Sequence, residues 1–166
     1  MTPYLILIGA DHRNLGKSTL AAALADVLTK KGIPVYAVKL RGTAKPVSRL
    51  VREQQDEQKP SVHALFAAGC SGVWHMESDD RGRRERFTEI LRSLPAGPLV
   101  LICESNALRN DLVPDLFIHL DGDGNDIKQS ARQTRHLADI RIRAPFSEHD
   151  LETIVARLEQ DQRIRP

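Results

Sequence analysis

The run Tyr4-Leu5-Ile6-Leu7-Ile8, followed by Gly9-Ala10-Asp11-His12-Arg13-Asn14-Leu15-Gly16-Lys17-Ser18-Thr19, constrains this chain more than any other stretch. Consecutive apolar residues of that length read as a buried strand. Leu20, Leu24, Val27 and Leu28 then recur at helical spacing. Strand, tight loop, Gly-Lys-Ser/Thr and helix, in that order, are the context in which a P-loop pattern has physical meaning. Such a loop points backbone N–H groups at a phosphate, and the helix N-terminus adds its positive end. Lys17 is then placed to reach β/γ-phosphate oxygens and Ser18 to ligate magnesium. Arg13, Asn14, Leu15, Gly16, Lys17, Ser18 and Thr19 form the candidate phosphate-binding set. One position departs from the pattern. The usual first Gly, five residues before Gly16, is replaced by Asp11, with Gly9 two residues earlier, which predicts a longer or differently bent loop. The competing reading is a strand–loop–helix whose Gly-Lys-Ser-Thr merely starts a helix, with Lys17 in solvent.

Apolar runs rich in β-formers alternate with helical patterns along the chain. That alternation predicts an α/β class with a mainly parallel sheet, here a three-layer P-loop NTPase-like fold. Strands are expected at Tyr4 to Ile8, Val35 to Leu40, Gly72 to Met76, Pro98 to Cys103, Asp115 to Leu120 and Asp139 to Ile142. The first helix is expected over Lys17 to Lys31, with Gly32 as its stop. Phe87, Ile90, Leu91 and Leu94 make an apolar stripe ended by Pro95. Ser147 and Asp150 read as a capping box, followed by the stripe Leu151, Ile154, Val155 and Leu158. The stretch Arg41 to Pro60 is polar and carries Gly42, Pro46 and Pro60. It reads as a mobile excursion near the phosphate site, with a short helix over Val47 to Gln55. Residues Asp161 to Pro166 are expected to fray.

The length of 166 residues fits a single nucleotide-binding domain over 1–166. Aromatic residues, at 4%, are too scarce for base-stacking platforms, and a dispersed net charge of +2 calls for neither a nucleic-acid nor a membrane partner. No apolar run reaches membrane-spanning length, and the start of the chain lacks a signal-peptide pattern. Two widely spaced cysteines give no disulfide framework, so the expected compartment is the reducing cytoplasm.

A P-loop enzyme needs a carboxylate at the end of another buried strand, to meet magnesium or orient water. Leu99-Val100-Leu101-Ile102-Cys103-Glu104 supplies one, and ligands of open α/β sheets bind at that strand end. Lys17 and Glu104 are therefore the candidate catalytic residues, and Ser18 and Glu104 the candidate metal ligands. Asn106 and Arg109 suit an anionic second substrate, while Ser105 and Asn106 equally suit a turn. Lys39 and Arg41 leave the second strand at the same end of the sheet. They read either as ligands of a phosphorylated group or as a solvated basic edge. His63, Cys70, His75 and Cys103 lack the paired spacing of a zinc site, and the cysteines read as small core residues.

These residues resemble those of the MobB-type proteins, the molybdopterin-guanine dinucleotide biosynthesis adapters. The resemblance starts at Tyr4 to Leu28, with Gly9 and Asn14-Leu15-Gly16-Lys17-Ser18-Thr19-Leu20. It continues through Val38-Lys39-Leu40, Ala67-Ala68-Gly69-Cys70 with the strand Val73 to Met76, Leu101-Ile102-Cys103-Glu104 and Pro114-Asp115-Leu116. Leu40-Arg41-Gly42-Thr43 stands where that family has a His-rich stretch, and Ser105-Asn106 where it tends to have Gly after the Glu. The wider group includes dethiobiotin synthetase and related small P-loop enzymes. The resemblance implies Mg2+ and GTP as cofactors, slow NTP turnover or an adapter role, and a molybdenum-cofactor nucleotidyltransferase as partner. A homodimer is left open. The residues by themselves specify a nucleoside triphosphate, GTP or ATP, since no Asn/Thr-Lys-x-Asp tetrapeptide occurs. The second function open on the same residues is an ATP-dependent kinase or ligase acting on a small anionic metabolite. Lys39, Arg41 and Arg109 would then hold that metabolite.

Overall fold

Side-chain alternation along the central strands decides the layers. In β1 (Tyr4–Ala10), Tyr4, Ile6, Ile8 and Ala10 face one apolar cluster, while Leu5 and Leu7 face another. β5 (Val100–Glu104) divides the same way, Val100 and Ile102 against Leu101 and Cys103. Strands buried on both faces need helices on both sides. The computed structural model, which describes residues 2–56 and 58–164, has that arrangement.

One sheet runs in the order β3-β4-β2-β5-β1-β6-β7. Its other members are β2 (Val35–Gly42), β3 (Ser48–Arg52), β4 (Gly72–Ser78), β6 (Leu116–Asp121) and β7 (Ile140–Arg143). All pairings are parallel except β3 with β4. Leu20, Leu24 and Leu28 of α1 (Lys17–Lys30), Val62 and Leu65 of α2 (Pro60–Ala67), and Ile154 and Leu158 of α5 (Glu148–Glu159) cover the first face. Phe87 and Ile90 of α3 (Arg83–Ser93) and Leu108 of a 3-10 turn cover the second. A short α4 (Gln129–Thr134) precedes β7. The fold is thus three-layered and α/β, as the P-loop NTPase-like expectation has it. No helix among the described residues is long and apolar enough to cross a membrane.

The six expected strands are present, with ends shifted by one or two residues. The capping box of α5 is formed, Ser147 Oγ accepting from the Asp150 N–H and the Asp150 carboxylate accepting from the Ser147 N–H. Two expectations are corrected. Val47 to Gln55 holds no helix but strand β3, which pairs antiparallel with β4, Leu50 opposite Met76. Leu50 turns inward against the second cluster while Arg49 and Arg52 stay outside, the pattern of a charged edge strand. Residues 43–53 are also tied to the sheet by Thr43 N–H to Ser78 O, Asp79 N–H to Val47 O and Glu53 N–H to Val73 O. The expected frayed end is fixed through Ile164, which is buried in the first cluster, and through Arg163, whose guanidinium lies 2.9 Å from Asp115. Glu57 of the polar stretch, and Arg165 and Pro166 of the expected frayed end, lie outside the described residues.

Candidate functional site

Period-two alternation brings the first charges together. Lys39 continues the face of Val35 and Ala37, and Glu104 that of Val100 and Ile102, so both point to the α1 side. Parallel pairing sets Lys39 opposite Glu104, and Ile8 opposite Glu104 on the other side. Helix α1 lays Ser18 over this junction. Ser18 Oγ donates to Glu104 Oε2 at 2.7 Å. Lys39 Nζ donates to Ser18 Oγ at 2.6 Å and to the two Glu104 oxygens at 3.1 and 3.2 Å. A hydroxyl and a carboxylate are hard oxygen donors of the kind magnesium takes, and here the Lys39 ammonium bonds both.

The loop before α1 is held from outside its own sequence. Asn106 receives the Ala10 N–H on Oδ1 and returns Nδ2 to Ala10 O, both at 2.8 Å. A Cβ at position 9 would stand 2.4 Å from that Oδ1, so this clasp requires Gly9. Gly16 takes φ +92° and starts α1 with no side-chain cap, which leaves the first N–H groups of the helix without an intrahelical partner.

Asp11, where the phosphate-loop pattern has Gly, is buried. It accepts from the Gly122 N–H at 3.0 Å, from His119 Nε2 at 3.1 Å and from Arg135 Nη1 at 3.2 Å. Burial pushes its carboxyl up, but these three donors together outweigh burial and hold it below its ordinary value. Burial pushes His119 down, against the pull of Asp11, and keeps the ring neutral at pH 7. An ionised carboxylate only accepts, so Nε2 carries the proton and the buried Nδ1 is left as an acceptor without a partner. Asp11, His119 and Asp121 lie close enough to share a cation. Arg135 on Asp11 and Arg141 on Asp121, the latter at 2.8 Å, already neutralise the two carboxylates. We therefore read this group as the support of the loop.

A cleft of about 1150 Å3 opens over these strand ends. Arg13, Lys17, Arg41 and Glu104 of the expected set line it, joined by Lys128. Burial pushes the Lys17 ammonium below its ordinary value. Lys128, Lys39 and Arg13 push the same way, against the pull of Glu104. Lys128 is depressed by burial and by Arg13. Lys17, Lys128 and Arg13 around one space form a field for a polyanion. Sequence reading missed Lys128, which sits in the polar stretch between β6 and α4. Its N–H bonds Asp11 O at 2.9 Å, a contact across the chain that no local pattern marks.

The remaining expected residues fall as follows. Leu15 packs against the first apolar cluster, while Asn14, with φ +63°, and Thr19 are exposed. Ser105 caps the 3-10 turn by accepting the Leu108 N–H, as the turn reading has it, whereas the Asn106 side chain caps no turn and is spent on the Ala10 backbone. Arg109 donates to Leu112 O and is not among the residues lining the cleft. Cys70 and Cys103 are buried free thiols, that of Cys70 pushed up by burial to about 12, as core residues should be. His63 is exposed on α2, and His75 lies 3.6 Å from Glu53. No family model, curated protein or solved structure matches the chain.

Proposed function

We propose that this chain binds a magnesium nucleoside triphosphate across the β1–α1 loop and hydrolyses or transfers its terminal phosphate slowly. The observation that carries the reading is the meeting of Ser18, Lys39 and Glu104 at the ends of adjacent parallel strands, beside an ammonium, Lys17, that has no ion partner among the described residues. Ser18 and Glu104 would hold the metal, whose part is to neutralise charge on the phosphates. Arg13, Lys17 and Lys128 would cradle phosphate oxygens, and the uncapped start of α1 adds N–H donors. Glu104 would also orient an attacking nucleophile.

Resemblance extends the proposal to GTP, and to assistance of molybdenum-cofactor guanylylation together with a nucleotidyltransferase. Calorimetric titration with GTP and with ATP, with and without magnesium, tests the nucleotide reading. Tight binding that needs magnesium and is lost in Lys17→Ala supports it, and equal affinity of variant and wild type refutes it. Turnover that stays negligible until a nucleotidyltransferase is added would support the adapter role. The second reading, a kinase or ligase acting on a small anionic metabolite, is favoured by one observation: the exposed, unpaired Arg41 on the far side of Glu104.

A further inference from the structure

The cleft is larger than the phosphate cradle. From Lys128 and Lys17 it continues past Glu104 to Arg41, Arg83 and Asp111. That far half has a fixed wall. Arg83 is only 3% exposed, and its guanidinium is paired with Asp111 and, at 2.8 Å, with Asp80. The pairing ties the start of α3 to the turn after β5. The floor is made of small residues. Even a Cβ on Gly42 would meet nothing nearer than the Cβ of Ala107 at 3.9 Å. Every carboxylate lining the cleft already has a cation, Glu104 through Lys39 and Asp80 and Asp111 through Arg83. Arg41 has no ion-pair or side-chain hydrogen-bond partner among the described residues. It stands two residues beyond Lys39 on the same face of β2, about 6.6 Å further along the strand.

We propose that this far half, centred on Arg41, is a subsite for a second, small ligand that carries a phosphate or carboxylate group. A guanidinium offers paired N–H donors in the plane that an oxyanion needs. Arg83 is already shared between Asp80 and Asp111, so Arg41 is the guanidinium left to receive an anion. The position beside Ser18, Lys39 and Glu104 brings the second anion next to the end of the phosphate cradle, where an acceptor of the terminal phosphate would stand. This adjacency rests on the nucleotide reading, whereas the subsite's own ligand does not.

Amide-shift titrations with inorganic phosphate and, separately, acetate test the proposal. They are run on the Lys17→Ala protein and on wild type saturated with magnesium and a non-hydrolysable nucleoside triphosphate. Either probe should shift amides of residues 41–44 and 107–110. Arg41→Ala should weaken that response at least tenfold more than it weakens nucleotide binding. The probe that binds identifies the group. Absence of a response to both probes, or a response that Arg41→Ala leaves unchanged, overturns the subsite. Failure of wild type to bind nucleotide, with an Arg41-dependent phosphate response kept in Lys17→Ala, would overturn the nucleotide reading and leave the subsite standing.

Discussion

The loop over residues 11–16 and the stretch over residues 43–53 start from the same end of the sheet, the second then running back along β4, and both are polar. They are ordered by different means. The loop's path is written locally, in Gly9 and Gly16, and then locked by side chains from elsewhere: Asn106 on Ala10, and His119 and Arg135 on Asp11. The second stretch carries no comparable local signature. Its order comes from backbone pairing of β3 with β4, a strand that begins twenty residues after β3 ends. Local motifs announce sites, whereas edge strands are announced only by their partners.

The strongest way to break that contrast is to remove the outside lock. Asp11→Ala would leave His119 and Arg135 facing a gap, and loss of one partner from a buried charged cluster costs about 3 kcal/mol. Urea denaturation should show a loss of that size, and a loss below about 0.5 kcal/mol would mean that the loop stands on its own sequence. The pH dependence gives a second readout. His119 is held below its unfolded value of 6.5, so as pH falls from there the unfolded chain takes up a proton that the native one refuses, and stability declines. Asp11 is held below its unfolded value of 3.8. Its contribution is complete above that pH and disappears as pH falls through the lower native value. Denaturation midpoints from pH 8 to pH 3 should therefore fall in two stages, and Asp11→Ala should shrink the lower one, to which Asp150 and Asp161 also contribute.

Lys17→Ala addresses what the locked loop is for. An ammonium that donates to phosphate oxygens is worth roughly a hundredfold in affinity, about 2.8 kcal/mol. Calorimetry should show that loss while the denaturation midpoint stays within a few tenths of a kcal/mol of wild type. A nucleotide affinity unchanged by the substitution would leave the loop with a structural role alone.

Legibility followed the same division. The central strands were readable because Tyr4 to Ile8 and Val100 to Cys103 are buried on both faces and so are apolar without interruption. Glu104 was readable because it ends such a run. Lys39 could be placed at the right end of the sheet, but its contact with Ser18 depends on the β2–β5 register, which no local pattern states. Lys128 and the Asp11–His119–Arg135 group were not readable, since they join residues more than a hundred positions apart. Asp11 did announce itself as a departure from the phosphate-loop pattern, and the structure gives the departure a physical cause. Over Val47 to Gln55 charged residues obscured the alternation around Leu50, and a helix was expected where an edge strand forms.

Glu104→Gln sharpens the comparison at the point where the loop meets the sheet. Gln keeps the shape and can still accept from Ser18, but it removes the charge that Lys39 and a metal would answer. A group that acts mainly on the transition state changes turnover more than affinity. Single-turnover NTP hydrolysis should fall about tenfold or more, roughly 1.4 kcal/mol in the barrier, while equilibrium binding falls less. Equal losses in both would make Glu104 a binding residue, and no loss in either would remove it from the site.

The smallest effect is expected where the contrast is most easily overturned, at β3. Leu50 is the inward residue of that strand, half-buried against Met76 and its neighbours. Full burial of a Leu side chain is worth roughly 2–5 kcal/mol when truncated to Ala, and a half-buried edge position should give about 1 kcal/mol. If pairing with β4 orders residues 43–53, Leu50→Ala should loosen them locally as well. Hydrogen exchange of the Glu53 N–H, which bonds Val73 O at 2.8 Å, should accelerate with that of the β3 amides, while the core amides of β1 and β5 keep their protection. Exchange at 43–53 that is already unprotected in wild type would show that the stretch is mobile after all. Protection unaffected by the substitution would show that hydrogen bonding to β4 holds the strand without help from the apolar contact.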